Sequence, residues 1–132
     1  TPAAGWVGPL GAVVIGIVSS LVAYWAATWL KSTVGYDDAL DVVGVHGFGG
    51  IVGTVLVSFF ASSALGGTEE GLDVMGQLGA QLTAIIGTAV YTLIVSAIIF
   101  KLVDVVVGLR VDEEIEVNGL DLGEHGEVGY DM

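Results

Sequence analysis

Long apolar runs separated by short polar ones give this chain its pattern. Three windows, residues 5–30, 42–65 and 75–100, contain no Asp, Glu, Lys or Arg, and each runs for 24 to 26 residues. A helix needs about 20 residues to cross a hydrocarbon core of roughly 30 Å. Backbone in lipid must also satisfy its own hydrogen bonds, which makes each window helical. The pattern therefore predicts an all-α membrane protein with three transmembrane helices over about 6–30, 42–65 and 75–109, within a membrane region 1–110 followed by a tail, 111–132. The third window continues through Lys101 and Asp104 without a breaker. Helix throughout 75–109 would measure about 52 Å, longer than the core, so it tilts and projects beyond the bilayer.

Composition agrees. Apolar residues make up 54% of the 132 and charged residues 14%, against about 25% charged in ordinary soluble domains; the mean hydropathy is +0.85. There is no cysteine, so disulfide and thiolate chemistry are excluded. No basic segment followed by a short apolar stretch marks a signal peptide. The sequence opens with Thr1-Pro2 directly before an apolar span, as the C-terminal part of something longer would.

The few cations set the orientation. Lys31 lies between the first two windows, Lys101 and Arg110 lie beyond the third, and residues 62–74 have neither Lys nor Arg. Lys and Arg favour the cytoplasmic side, so the chain is expected to start outside a cell membrane and end in the cytoplasm. Trp6 at one end of the first span, with Trp25 and Trp29 at the other, suits interfacial anchoring.

Net charge is -12, and residues 112–131 carry eight acidic side chains with no Lys or Arg. Such a run is ordinarily a solvated segment and disfavours nucleic acid or anionic lipid as partners. It also fits a high-salt cytoplasm, where screening relieves self-repulsion. Glycines at 119, 123, 126 and 129 break any long helix there, which predicts a turn-rich tail. His125 has no second His or Cys near enough for a zinc site, so no metal or cofactor is expected.

His46 is the only titratable group in the second window. An intramembrane ionisable residue is by default a functional candidate with a partner. On a 3.6-residue period its face carries Val42, Gly49, Gly50 and Gly53, leaving room beside the imidazole for another helix or a narrow lumen. Gly49 and Gly53 form a GxxxG pair, and Gly44 and Gly47 also suit close helix packing. Asp37, Asp38 and Asp41 either cap this helix at its positive N-terminal end or line a water-filled vestibule; for Asp41, capping is the reading its position favours. In the first span Gly8, Gly11, Gly16, Ser19 and Ser20 read as small packing residues.

The segment Asp41-Val-Val-Gly44-Val-His46-Gly47 resembles the second histidine motif of the ammonium transporter (Amt/Rh) family. The tail resembles that family too, through Gly108-Leu-Arg110-Val, Glu113-Glu114, Gly119-Leu-Asp121, His125-Gly126 and Tyr130. The resemblance covers nearly the whole chain and implies the last three of eleven helices in an inverted-repeat transporter, plus its cytoplasmic tail. It implies a homotrimer with a pore through each protomer, in which two hydrogen-bonded histidines help to strip the proton from ammonium and pass ammonia. His46 matches the second histidine as a proton-relay member, with Val42, Gly49 and Gly50 lining the lumen. The first histidine would lie on a helix beyond these residues. Gly119, Asp121, His125, Gly126 and Tyr130 match the regulatory tail, which implies a PII-type signalling protein as a partner at the cytoplasmic face.

Two other classes compete. A small three-helix membrane subunit could assemble through the GxxxG face without conducting anything. A membrane hydrolase or redox enzyme is weakly supported, because no Cys, second intramembrane His or nucleophile–base pair is present.

Overall fold

The computed structural model describes residues 1–129 and is helical, with no strand among them beyond an isolated bridge between Ser62 and Glu69. Three helices are long and apolar enough to cross a membrane: α1 (Pro9–Val34), α2 (Val43–Phe60) and α3 (Val74–Val106). A short α4 (Glu113–Asn118) follows. The chain divides into two compact units, 1–89 and 90 onward, the division falling within α3.

In the first unit, α1 starts at Pro9, where the missing N–H is harmless, and its first interior bond runs from the Ala12 N–H to the Gly8 carbonyl at 2.9 Å. It ends at Gly35, which adopts φ +72° and returns its N–H to the Lys31 carbonyl at 2.8 Å. Helix continues past the expected end at residue 30, because no breaker precedes Gly35. Five residues within α1, Ala26–Leu30, form a π-helical turn. The start of α2, Val43–Phe48, is π-helical as well. Three threonine hydroxyls on these helices satisfy themselves locally, Thr28 on the Tyr24 carbonyl, Thr33 on that of Trp29 and Thr54 on that of Gly50, whereas the buried Ser58 hydroxyl has no partner among the described residues. Such back-bonding is what an apolar surround demands of a hydroxyl.

Helices α1 and α2 pack against each other, and glycine sets the approach. A Cβ on Gly11 would stand 3.0 Å from the Phe60 Cβ, and one on Gly44 2.8 Å from the Ala27 nitrogen. Both glycines are buried, and the two π turns face one another at the Gly44–Ala27 contact. Beyond them Trp25 stacks on Trp29, with centroids 5.6 Å apart, and meets the edge of Phe48 at 6.1 Å. A small core of Ala3, Ile15, Val57 and Ala61, flanked by Val7, Leu56, Phe60 and Leu72, joins the N-terminal segment to both helices.

Helix α2 stops at Phe60, five residues before its charge-free window ends. Ser62 caps a 3₁₀ turn at Ser63–Leu65, Gly66 takes φ +79°, and the Thr68 N–H donates to the Trp6 carbonyl at 3.1 Å. Apolar Ala64 and Leu65 thus belong to a reversing loop that lies on the N-terminal segment. A count of charges could not register that turn.

The last turns of α3 carry the Lys101–Asp104 pair at 3.2 Å, and Gly108 (φ +88°) follows the helix end. The tail holds Arg110 on Glu116 at 2.9 Å, with α4 followed by a π turn at Asp121–His125. Gly119 at φ +100° and Gly126 at φ +65° end these elements, as their glycines predicted.

Candidate functional site

His46 opens onto a cavity of about 610 Å³ within the first unit. One wall is the face of α1 that carries Ala12, Ile15, Gly16, Ser19, Ser20 and Ala23; the other is α2 at Val45, His46, Gly49 and Gly50. Residues 1–4 and Val7 also line it. The lining is mostly apolar, with the hydroxyls of Thr1, Ser19 and Ser20 and one imidazole as its side-chain polar groups. No partner for the imidazole occurs among the described residues. The arrangement sets an imidazole on a wall where the adjacent glycines withhold side chains.

Gly49 and Gly50 share the cavity with His46 as expected, and a Cβ on either would meet nothing within 4 Å. Val42 does not line it. The expectation assumed an α period, whereas the π turn at Val43–Phe48 bonds i to i+5 and shifts the face. Gly53 is buried against the Pro2 ring, 3.4 Å from where its Cβ would stand, and Gly44 packs on Ala27. A Cβ on Gly47 would meet nothing within 4 Å among the described residues.

The three aspartates before α2 separate into distinct environments. Asp38, rather than Asp41, provides the capping carboxylate: it accepts from the Val42 N–H at 2.9 Å and the Val43 N–H at 2.8 Å, one oxygen each. This satisfies two donors that a helix start leaves orphaned, at the end where the dipole favours an anion. The Asp41 side chain is engaged elsewhere, in an ion pair with Lys31 at 2.7 Å. The Lys31 ammonium also donates to the Asp38 carbonyl. Asp37 is exposed.

In the tail, Asp121 and His125 begin and end an exposed π turn, and the Glu127 N–H donates to the Asp121 carbonyl at 2.9 Å. Tyr130 lies outside the described residues. No group of three or more His, Cys, Asp or Glu among the described residues could hold a metal ion.

Sequence reasoning placed Ser19 and Ser20 in helix packing, yet both line the cavity opposite His46. The signal available was their spacing with Ala12, Gly16 and Ala23 along one face of α1. Lys31 was read only as a topology marker. Its separation of ten residues from Asp41 across a tight loop hid the pairing.

A sequence model of the Ammonium Transporter Family matches residues 1–130. The chain is similar to the ammonium transporter of Aquifex aeolicus, at 45% identity over 100% of this chain and 31% of that protein. It is also similar to the ammonium transporter of Bacillus subtilis, at 40% identity over 98% of the chain and 33% of the relative. A third relative, the ammonium transporter Amt1 of Archaeoglobus fulgidus, is 42% identical over 98% of the chain and 33% of its own length. The chain thus spans about a third of the length of the curated relatives it matches.

Proposed function

The chain belongs to the ammonium transporter family, and on that premise we propose that it forms part of a pore that takes up ammonium, removes its proton and passes ammonia. The observation that carries this reading is the position of His46 in a cavity otherwise lined by glycine, apolar residues and three hydroxyl side chains. Moving bare ammonium through hydrocarbon costs tens of kcal/mol in the Born limit, of order 20 or more. A lumen that admits only the neutral molecule avoids most of that cost. A neutral imidazole donates and accepts a hydrogen bond at once, so it can hand on the proton that ammonium gives up. Ser19 and Ser20 supply hydroxyls to the same cavity, on the wall facing His46.

The relatives are about three times as long as this chain, and in this reading the rest of such a transporter supplies the remaining wall. It also supplies the first histidine of the pair, the partner of His46, on an inverted repeat of the helices described here. The protein works as a homotrimer in a cell membrane, with residue 1 on the outer side and the tail in the cytoplasm. Gly119, Asp121, His125, Gly126 and Tyr130 belong to a surface that docks against a neighbouring subunit and receives a PII-type regulator.

The test is methylammonium uptake by the full-length transporter in proteoliposomes, normalised to folded protein. His46→Ala is expected to reduce uptake at least about tenfold, the scale of one lost proton-transfer group being about 10²–10⁴. Wild-type uptake by His46→Ala would refute the relay role.

A further inference from the structure

Asp41 is the only non-glycine residue at positive φ among those described, at +55°. That region is disfavoured for a residue with a Cβ and persists only where the surroundings over-determine it. Here the Asp41 N–H closes the turn on the Asp38 carbonyl at 3.2 Å, and one ammonium ties its two ends together. Lys31, in the last turn of α1, bonds the Asp41 carboxylate at 2.7 Å and the Asp38 carbonyl, gripping both ends of the turn 38–41.

Each end of that turn controls the start of α2. The Asp38 carboxylate holds the Val42 and Val43 N–H groups, and the Asp41 carbonyl accepts from the Val45 N–H at 2.8 Å. His46 is the next residue, inside the π turn. No side-chain partner among the described residues fixes its imidazole, so its placement follows from this backbone.

We propose that Lys31 and Asp41 are positioning residues for His46: their ion pair locks the strained turn 38–41, and the locked turn sets where the imidazole stands in the cavity. The device rests on the relay reading of His46 given above. It is local, because both partners lie within ten residues of each other. It also has a chemical signature, because it needs charge at both partners and not merely bulk.

The experiment uses the full-length transporter reconstituted in proteoliposomes, with methylammonium uptake per folded molecule resolved into KM and maximal rate. The variants are Lys31→Gln, Asp41→Asn, the double variant, Lys31→Arg and His46→Ala. Positioning predicts that each neutralising single lowers the maximal rate at least fivefold while KM stays within twofold. The double variant then falls no further than the worse single, and Lys31→Arg recovers most of the rate. A pair that only stabilises the fold would lower the yield of folded protein and leave the rate per folded molecule unchanged, which overturns the proposal. If His46→Ala abolishes uptake while Lys31→Gln and Asp41→Asn conduct like wild type, the positioning idea alone fails. If His46→Ala conducts normally, the relay reading fails and the proposal with it.

Discussion

Replacing Gly44 by Ala is the sharpest probe of how α1 and α2 meet. The added methyl would stand 2.8 Å from the Ala27 nitrogen, 3.0 Å from its Cα and 3.1 Å from its Cβ. Ordinary contact begins at 3.4 Å, so the helices must separate by about 0.6 Å at this point. Two of the three obstructing atoms are backbone, and no flexible side chain can swing aside. Overpacking of this kind costs about 1–3 kcal/mol. Alanine's helical advantage over glycine offsets roughly 0.5–1 kcal/mol of that. The net loss is about 0–2.5 kcal/mol, centred near 1 kcal/mol, a factor of roughly 5 in the folded-to-unfolded ratio. The assay is denaturation of the full-length transporter in mixed micelles, with Gly44→Ala and Gly47→Ala compared side by side. A Cβ on Gly47 meets nothing within 4 Å, so Gly47→Ala is expected to be neutral or slightly stabilising. Equal stability of the two variants would refute the close approach at Ala27.

Removing the capping carboxylate with Asp38→Ala exposes two N–H groups and is expected to lower stability by about 1–2 kcal/mol, read by the same denaturation series; a change within error would show that the Val42 and Val43 N–H groups are satisfied otherwise. At Gly8 a Cβ would lie 2.6 Å from the carbonyl oxygens of Leu65 and Gly66, so Gly8→Ala should loosen the loop 61–69 and speed its cleavage by added protease. Unaltered cleavage would mean the loop does not rest on the N-terminal segment.

The three spans were legible because membrane crossing demands long charge-free windows, and α1, α2 and α3 each fall largely within one. Their ends were less legible. The stop of α2 at Phe60 depends on a turn built from Ser62, Gly66 and a bond to Trp6, far away in sequence. His46, Gly49 and Gly50 stood out together because glycine beside a lone histidine in an apolar window is a strong local pattern, and in the structure the three line one cavity. Val42, grouped with them on an α period, does not line that cavity, and nothing in its residue type announces the π turn that follows it. The capping carboxylate comes from Asp38 and not from Asp41 for a related reason. Asp41 adopts a left-handed conformation that its pairing with Lys31 stabilises, and that pairing is a tertiary fact. Ser19 and Ser20 show that a small residue on a membrane helix can mark either a contact or a void, and only the partner helix decides which.

The facing π turns at Ala26–Leu30 and Val43–Phe48 have a consequence for how this stretch tolerates change in chain length. Each holds one more residue per hydrogen-bonded ring than an α turn spanning the same gap. Each is therefore a reserve of slack. Deleting one residue from residues 43–48 lets the turn tighten to regular helix and keeps both flanks, the Asp38 cap below and the Gly53–Pro2 contact above, in their places. An added residue has no such reserve and must rotate one flank by about 100° against the other. The beginning of α2 should accept shortening more readily than lengthening, although His46 would lose its place in the cavity either way.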